Sequence, residues 1–396
     1  MKVQGILSKG FGLILSAVIS LSPIMSQAAP KTMPDGTIFD PEFYAATYPD
    51  VAAVCGNDEA LLYQHYVLCG KNEGRLPYAP QTAVSISAIR SGSADLKVDY
   101  HTKEEIALFI KSNPVGGAYV MNYSSLPVTE YPYSLGAVDP NILNDTCRLL
   151  NIYRYIAGIP AVITLNESYN EYAQAAAVVN AANEYMTHYP VQPDWMSNEM
   201  YQKGRKGAGS SNLGDGYRSL GDALATGWMS DDDYFNIDRV GHRRWALNPT
   251  MAQTGFGYAD GMSAMYAFDS KNGAGNNYKR VVWPAQNTPV GYFAQYDPWS
   301  ISMGESVSNA TVTLTCLNTG QVWVFSGTPN CNMENEMGYF NINNGSYGQT
   351  GCIIFRPWDG VNVSKGYSYQ VSVSGKAGRK DFSLQYTVDF FDVANY

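Results

Sequence analysis

The decapeptide VGHRRWALNP, residues 240–249, holds His242, one of four histidines in a chain of 396 residues. An imidazole in such a segment has three possible uses: metal ligand, general base, or packed core side chain. The chain has no CxxC pair, which excludes a zinc-ribbon pattern. Asp231, Asp232, Asp233 and Asp238 lie just upstream and offer Arg243 and Arg244 partners. Paired arginines beside four aspartates read as structural, although they could equally face an anionic ligand. Trp245 and the aliphatic arginine stems would cover the adjoining surface, and Pro249 would end the turn that His242 begins.

Several elements must position this segment. From residue 139 to about 270 the pattern is one of amphipathic helices followed by short strands. ILNDTCRLLNIYRYIAGI (142–159) predicts a helix ending near Gly158, with Pro160 beyond. LNESYNEYAQAAAVVNAANEYMTH (165–188) predicts a second, Ala-rich helix capped by Asn166 or Ser168. SLGDALATGWMS predicts a third, and TGFGYADGMSAMYAFDS a hairpin around Asp260-Gly261. Upstream, HTKEEIALFIKSNP (101–114) has Thr102 and Glu105 at capping-box spacing, and residues 115–140 read as extended. From about residue 280, SVSNATVTLTC, QVWVFSG, YFNIN, CIIFRPW, YSYQVSVSG and FSLQYTVDFF alternate between Gly and Asn turns, which predicts an antiparallel β-sandwich. Residues 280–396 are expected to fold by themselves, beyond the Gly/Asn-rich stretch 270–279. The fold class is therefore α+β.

At the N-terminus, Lys2 and Lys9 precede the apolar run 11–25, and Ser26-Gln27-Ala28 offers a small-x-small cleavage site. Residues 1–28 read as a secretory signal peptide, cleaved after Ala28 or Ala29. The run is shorter than a membrane span and no second one follows, so the expectation is a secreted, extracellular protein without a membrane span. The formal charge of −9 comes without basic runs, which argues against nucleic acid and anionic membranes as partners. Thirty tyrosines and only 15% charged residues suit an extracellular scaffold with amphipathic rings in its sheets. Export permits disulfides among Cys55, Cys69, Cys147, Cys316, Cys331 and Cys352. Local pairing predicts Cys55 with Cys69 and two of Cys316, Cys331 and Cys352 together, with Cys147 a buried thiol.

Residues 37–78 predict a small helical module. Phe39-Asp40, Tyr44, Pro49-Asp50-Val51, His65-Tyr66, Gly70 and Glu73-Gly74-Arg75 resemble the short FDxxYY…HYxxxGxxEGR modules of bacterial surface and secreted proteins. His65 reads as a packing histidine there. Residues 79–138 then form a linker and helical segment.

Within 139–270, Asn151-xx-Arg154, the Gly-Ile-Pro turn, the Ala-rich helix leading to His188, and Gly241-His242 resemble the CAP superfamily: the SCP-like extracellular domains of cysteine-rich secretory proteins, antigen 5 and PR-1. The likeness is greatest to secreted bacterial members carrying THYP, SSNL and GHRRWxLNP. The resemblance implies an αβα sandwich with a cleft of two histidines and two glutamates, which in some members binds a divalent metal. His188 and His242 match the histidines, whereas Ser211 and Asp231 stand where the glutamates would be. His188, His242 and Asp231 could supply three ligands to a metal such as zinc, although Asp is one methylene shorter than Glu and serine is a poor ligand. Ser211, His242 and Asp231 also have the residue types of a nucleophilic triad, without a strained elbow around Ser211.

The resemblance implies a secreted binding or interaction protein. Its cleft of His188, Ser211, Asp231 and His242 would take a small ligand, lipid or peptide without catalysis, and its partner would be an extracellular ligand or cell-envelope component. The alternative is a metal-dependent or serine-type hydrolase acting on peptide or cell-wall material.

Overall fold

The computed structural model describes residues 31–33, 35, 37–71, 73, 75–78, 96–329, 331–334 and 338–396. The expected signal peptide and most of the linker lie outside the described residues. The chain divides into two compact units, residues 1–82 and 83–396.

In the first unit, β1 (Lys31–Thr32) pairs with β2 (Ile38–Phe39), and three short helices follow: α1 (Pro41–Thr47), α2 (Pro49–Cys55) and α3 (Glu59–His65). The Asp40 and Asp58 carboxylates cap α1 and α3 by accepting from the backbone N–H groups of Phe43 and Leu61. Phe39, Tyr44, Val51, Leu62 and Tyr66 form the core. His65 packs at its edge, its Nδ1 3.2 Å from the Tyr44 hydroxyl.

The expected Cys55–Cys69 disulfide is not formed. Cys55 packs against this core at the end of α2, whereas Cys69, in the π-turn after α3, is exposed. All six thiols are free. Iodoacetamide at neutral pH is therefore expected to label Cys69 and Cys331 first and to spare Cys147, whose thiol burial pushes up to about 12. Peptide mapping without reduction reads this directly, and a Cys55–Cys69 linked peptide would contradict the structure.

The second unit begins with α4 (Lys103–Ser112), whose Thr102–Glu105 capping box forms as expected. A 3-10 turn and the short strands β3 (Tyr123–Ser125) and β4 (Ala137–Val138) lead to α5 (Pro140–Ile156), and β5 (Thr164–Leu165) to α6 (Glu167–Ala182). Asn166 caps α6 by accepting from the Tyr169 N–H. This helix stops at Ala182, six residues before His188, because the Asn180 and Asn183 side chains turn back onto the backbone at Thr187 and Val191.

A helix not expected from the sequence, α7 (Asn198–Ala208), packs on α6. Then come β6 (Ser211–Gly214) and α8 (Leu220–Asp222), which runs on as a π-turn to Trp228. Next are α9 (Gly241–Ala246), β7 (Gln253–Thr254) and the hairpin β8 (Phe256–Ala259) and β9 (Met262–Tyr266). Asp260 and Gly261, at φ +47° and +83°, make its two-residue turn.

The sheet β6-β9-β8 is the middle layer of an αβα sandwich. Leu213 and Ala264 face Ala173 and Ala176 of α6. Phe256, Tyr258 and Met265, on the opposite face, join the α5 and Trp228 core. Glycines bring α6 unusually close to both neighbours. A Cβ on Gly207 of α7 would fall 1.9 Å from the Tyr172 carbonyl oxygen, and one on Gly257 of β8 would fall 2.2 Å from the Gln174 nitrogen. The alanine run 175–177 is the matching surface, since larger side chains would hold the layers apart.

The C-terminal strands form two sheets packed face to face. One has the order β10 (Val281–Trp283), β12 (Trp299–Ser302), β16 (Gln349–Arg356), β15 (Tyr339–Tyr347). The other has the order β11 (Asn287–Pro289), β18 (Lys380–Phe391), β17 (Ser368–Ala377), β13 (Val307–Cys316), β14 (Val322–Phe325). One pair, β11–β18, is parallel rather than antiparallel. Alternating residues Tyr369, Val371, Val373 and Leu384, Tyr386, Val388 line the core.

The four-stranded sheet is buried on both faces. Ile353 and Phe355 point into the sandwich, whereas Cys352 and Ile354 pack on Ile237 and Val240, just before α9. This layering keeps Cys316, in the sandwich core, apart from Cys352, so the expected pairing there is also absent. One hydrophobic core runs from α5 through Trp283 into the sandwich, and the 270–279 connection is fastened rather than loose. Asn272 N–H donates to the Thr250 carbonyl, and Gly275 lies against the Pro249 backbone.

Candidate functional site

His242 sits in the first turn of α9. Its Nδ1 lies 2.8 Å from Asp231 Oδ1. A carboxylate only accepts, so Nδ1 carries a proton, and in the neutral ring Nε2 is the nitrogen with the lone pair. Asp231 is itself held, with Oδ2 accepting from the Arg243 N–H at 2.9 Å, and it is 1% exposed. Its backbone sits at φ +46°, a left-handed conformation that short polar residues tolerate best. The Asn212 side chain completes the cradle by donating to the His242 carbonyl at 2.9 Å.

Two residues predicted to join His242 lie apart from it. Ser211 and Asn212 are successive residues of β6, so their side chains point to opposite faces of the sheet. Ser211 pairs across the strand with Tyr266, whose ring stacks on Tyr169 of α6, and so lies on the α6 side. Its buried hydroxyl has no hydrogen-bond partner among the described residues. A Ser–His–Asp relay is therefore not assembled. His188, exposed after α6, donates from Nδ1 to the Ala208 carbonyl at 2.7 Å, which leaves its Nε2 open.

The metal expectation does not fit this arrangement. Among the described residues, no group of three or more His, Cys, Asp or Glu side chains could hold a metal ion. One Asp231 oxygen accepts from the imidazole N–H and the other from a backbone N–H, so the carboxylate orients His242.

The arginines answer the question raised by VGHRRWALNP. The upstream aspartates are not their side-chain partners. Arg243, fully buried, donates from Nε to the Met229 carbonyl at 2.7 Å, from Nη1 to the Pro298 carbonyl at 2.5 Å and Ser300 Oγ at 3.2 Å, and from Nη2 to the Ser230 carbonyl. Arg244 donates to Asn343 Oδ1 at 3.0 Å and to the Gly345 and Gln349 carbonyls at 2.5 and 2.7 Å, while its guanidinium lies over the Tyr347 ring. Both therefore clamp α9 onto the four-stranded sheet. Arg154 does the same from α5, donating to the Ala246 and Asn248 carbonyls. Burial lowers its guanidinium to about 9, which still leaves it charged at neutral pH.

One feature of the site escaped sequence reasoning. Trp245 lies three residues after His242, on the same side of α9, and its ring packs at 4.6 Å on Phe268, which is 52% exposed. The i,i+3 spacing was the available signal. The strongly exposed Tyr234 and Phe235 belong to the loop that supplies Asp231.

An αβα sandwich with a carboxylate-held histidine beside its middle sheet defines the class, an α+β domain. The model of the cysteine-rich secretory protein family, CAP, matches residues 147–268, so the chain carries a domain of that family. No curated protein and no solved structure matches the chain. Among the described residues, no helix is long and apolar enough to cross a membrane.

Proposed function

We propose that the protein is a secreted binding protein whose CAP domain captures an apolar ligand bearing a polar group, a lipid or an apolar peptide, without turning it over. The observation that carries this reading is the imidazole of His242, fixed by Asp231, one helical turn before Trp245, whose ring packs on Phe268. Nε2 accepts a hydrogen bond from the ligand's polar group, and the rings receive its apolar part. The N-terminal apolar run and the family favour export, and an extracellular or envelope component as the ligand's source. The position of Ser211 on the α6 face of β6, opposite the face from which Asn212 reaches His242, favours binding over a serine hydrolase, which needs that hydroxyl bonded to the imidazole.

The test uses full-length protein and its His242→Ala, His188→Ala and Ser211→Ala variants, titrated with a medium-chain fatty alcohol, whose hydroxyl can donate to Nε2, and with zinc, and assayed against ester and peptide substrates. The expected result is saturable fatty-alcohol binding weakened about tenfold or more in His242→Ala, with no hydrolysis by any variant. Hydrolysis lost specifically in Ser211→Ala would overturn the proposal in favour of an enzyme. Stoichiometric zinc binding lost in both histidine variants would restore the metal reading.

A further inference from the structure

We propose that the C-terminal β-sandwich carries a second ligand site, one for neutral oligosaccharides, at the end of the sheets where the β13–β14 turn meets the loop after β16. A cavity of about 460 Å³ opens there. This lies within the range of about 300–1,000 Å³ typical of small-ligand sites. Trp323 and Tyr367 supply half-buried rings seated on the sandwich core. Gln295, Gln321 and Asn362 supply amides, and Asp359 a carboxylate.

The composition selects the ligand. A sugar ring has an apolar C–H face and a rim of hydroxyls that both donate and accept. Aromatic faces match the first, and side-chain amides, which also donate and accept, match the second. No Lys or Arg lines the cavity among the described residues, which disfavours an anionic ligand. Trp358 and Tyr296, 43% and 51% exposed, stand next in sequence to lining residues, and the Tyr296 ring lies against Gly360 of the lining.

The walls are held before any ligand arrives. The Tyr369 hydroxyl donates to the Asn362 carbonyl at 3.0 Å, and the Val361 N–H to the Gln295 carbonyl at 3.0 Å. The Gln295 amide donates to the Asp359 carbonyl at 3.1 Å. Gly360 sits at φ +70° with Gln295 O only 2.6 Å from where a Cβ would be, so the loop closes as tightly as a glycine permits. A site held this way spends little binding energy on ordering its loops.

The experiment is calorimetric titration of the intact chain with four neutral tetrasaccharides, built from β-1,4-glucose, β-1,4-N-acetylglucosamine, β-1,4-mannose and α-1,4-glucose, and with the neutral tetrapeptide Gly-Ser-Tyr-Gly. At least one saccharide is expected to saturate at one site per chain. Trp323→Ala should weaken it about tenfold or more, and Trp323→Phe much less. Because Trp323 also rests on the core, Gln321→Ala and Asn362→Ala, both at exposed residues, keep the test independent of folding, and each should weaken binding about three- to tenfold. The proposal is overturned if no saccharide saturates at about 10 mM, if the Gln321/Asn362 double variant binds as the parent does, or if the tetrapeptide binds and the saccharides do not.

Discussion

Arg243→Ala is expected to lower the unfolding free energy by about 3–5 kcal/mol, because it strands three buried carbonyls and the Ser300 hydroxyl together. The guanidinium is itself costly to bury: desolvation lowers its pKa, and the nearby Asp297 and Asp231 carboxylates offset this only in part. Its stabilising effect therefore rests on the geometry of the fork. Lysine at this position keeps the charge but offers one point of donation where arginine reaches four acceptors, so Arg243→Lys should recover only part of the loss. Urea unfolding followed by circular dichroism measures both variants. A loss below about 1 kcal/mol for Arg243→Ala would show that the clamp is dispensable.

Gly257→Ala is the second substitution with a large expected effect, about 3 kcal/mol or more. The new methyl group would lie 2.2 Å from the Gln174 nitrogen and 2.3 Å from the Ala173 carbonyl carbon, both backbone atoms of α6. A flexible side chain could step aside, but a buried helix cannot without separating the sheet from the helical layer. Gly273→Ala is the control. Nothing lies within 4 Å of its added methyl and its φ is not positive, so its effect should stay within about 0.5 kcal/mol. Thermal unfolding of the two variants side by side distinguishes local packing from a general sensitivity to glycine replacement.

Features written locally in the chain could be read from it. Thr102 with Glu105, Asn166, and Asp260-Gly261 each fix a cap or turn through their own side chain or φ, and each forms where expected. The strands of the sandwich follow from period-two alternation. Helix α7 was missed because NEMYQKGRKGA is polar overall, and the residues on its buried face are mostly small, two of them glycines that ordinarily weaken a helix. Their value appears only when α6 is placed against them. The arginines misled for a similar reason: nearby aspartates suggested ion pairs, yet Arg244 reaches a carbonyl 101 residues along the chain. At the site, the Asp231–His242 link lay within an eleven-residue reach, but Ser211 could be separated from it only by the alternation of β6 and the identity of its cross-strand partner.

The six residues of α9 carry both His242 and the two guanidinium clamps, so the imidazole of the proposed ligand site and the joint with the β-sandwich share one short turn. They are thermodynamically linked. Any shift of α9 that loosens Arg243 and Arg244 also moves the imidazole, and a ligand that prefers one position of His242 adds its preference to the docking equilibrium. Such coupling is reciprocal: whatever factor docking contributes to ligand affinity, the ligand returns to docking. The CAP domain and the sandwich are in this sense a single instrument, with α9 as its fulcrum.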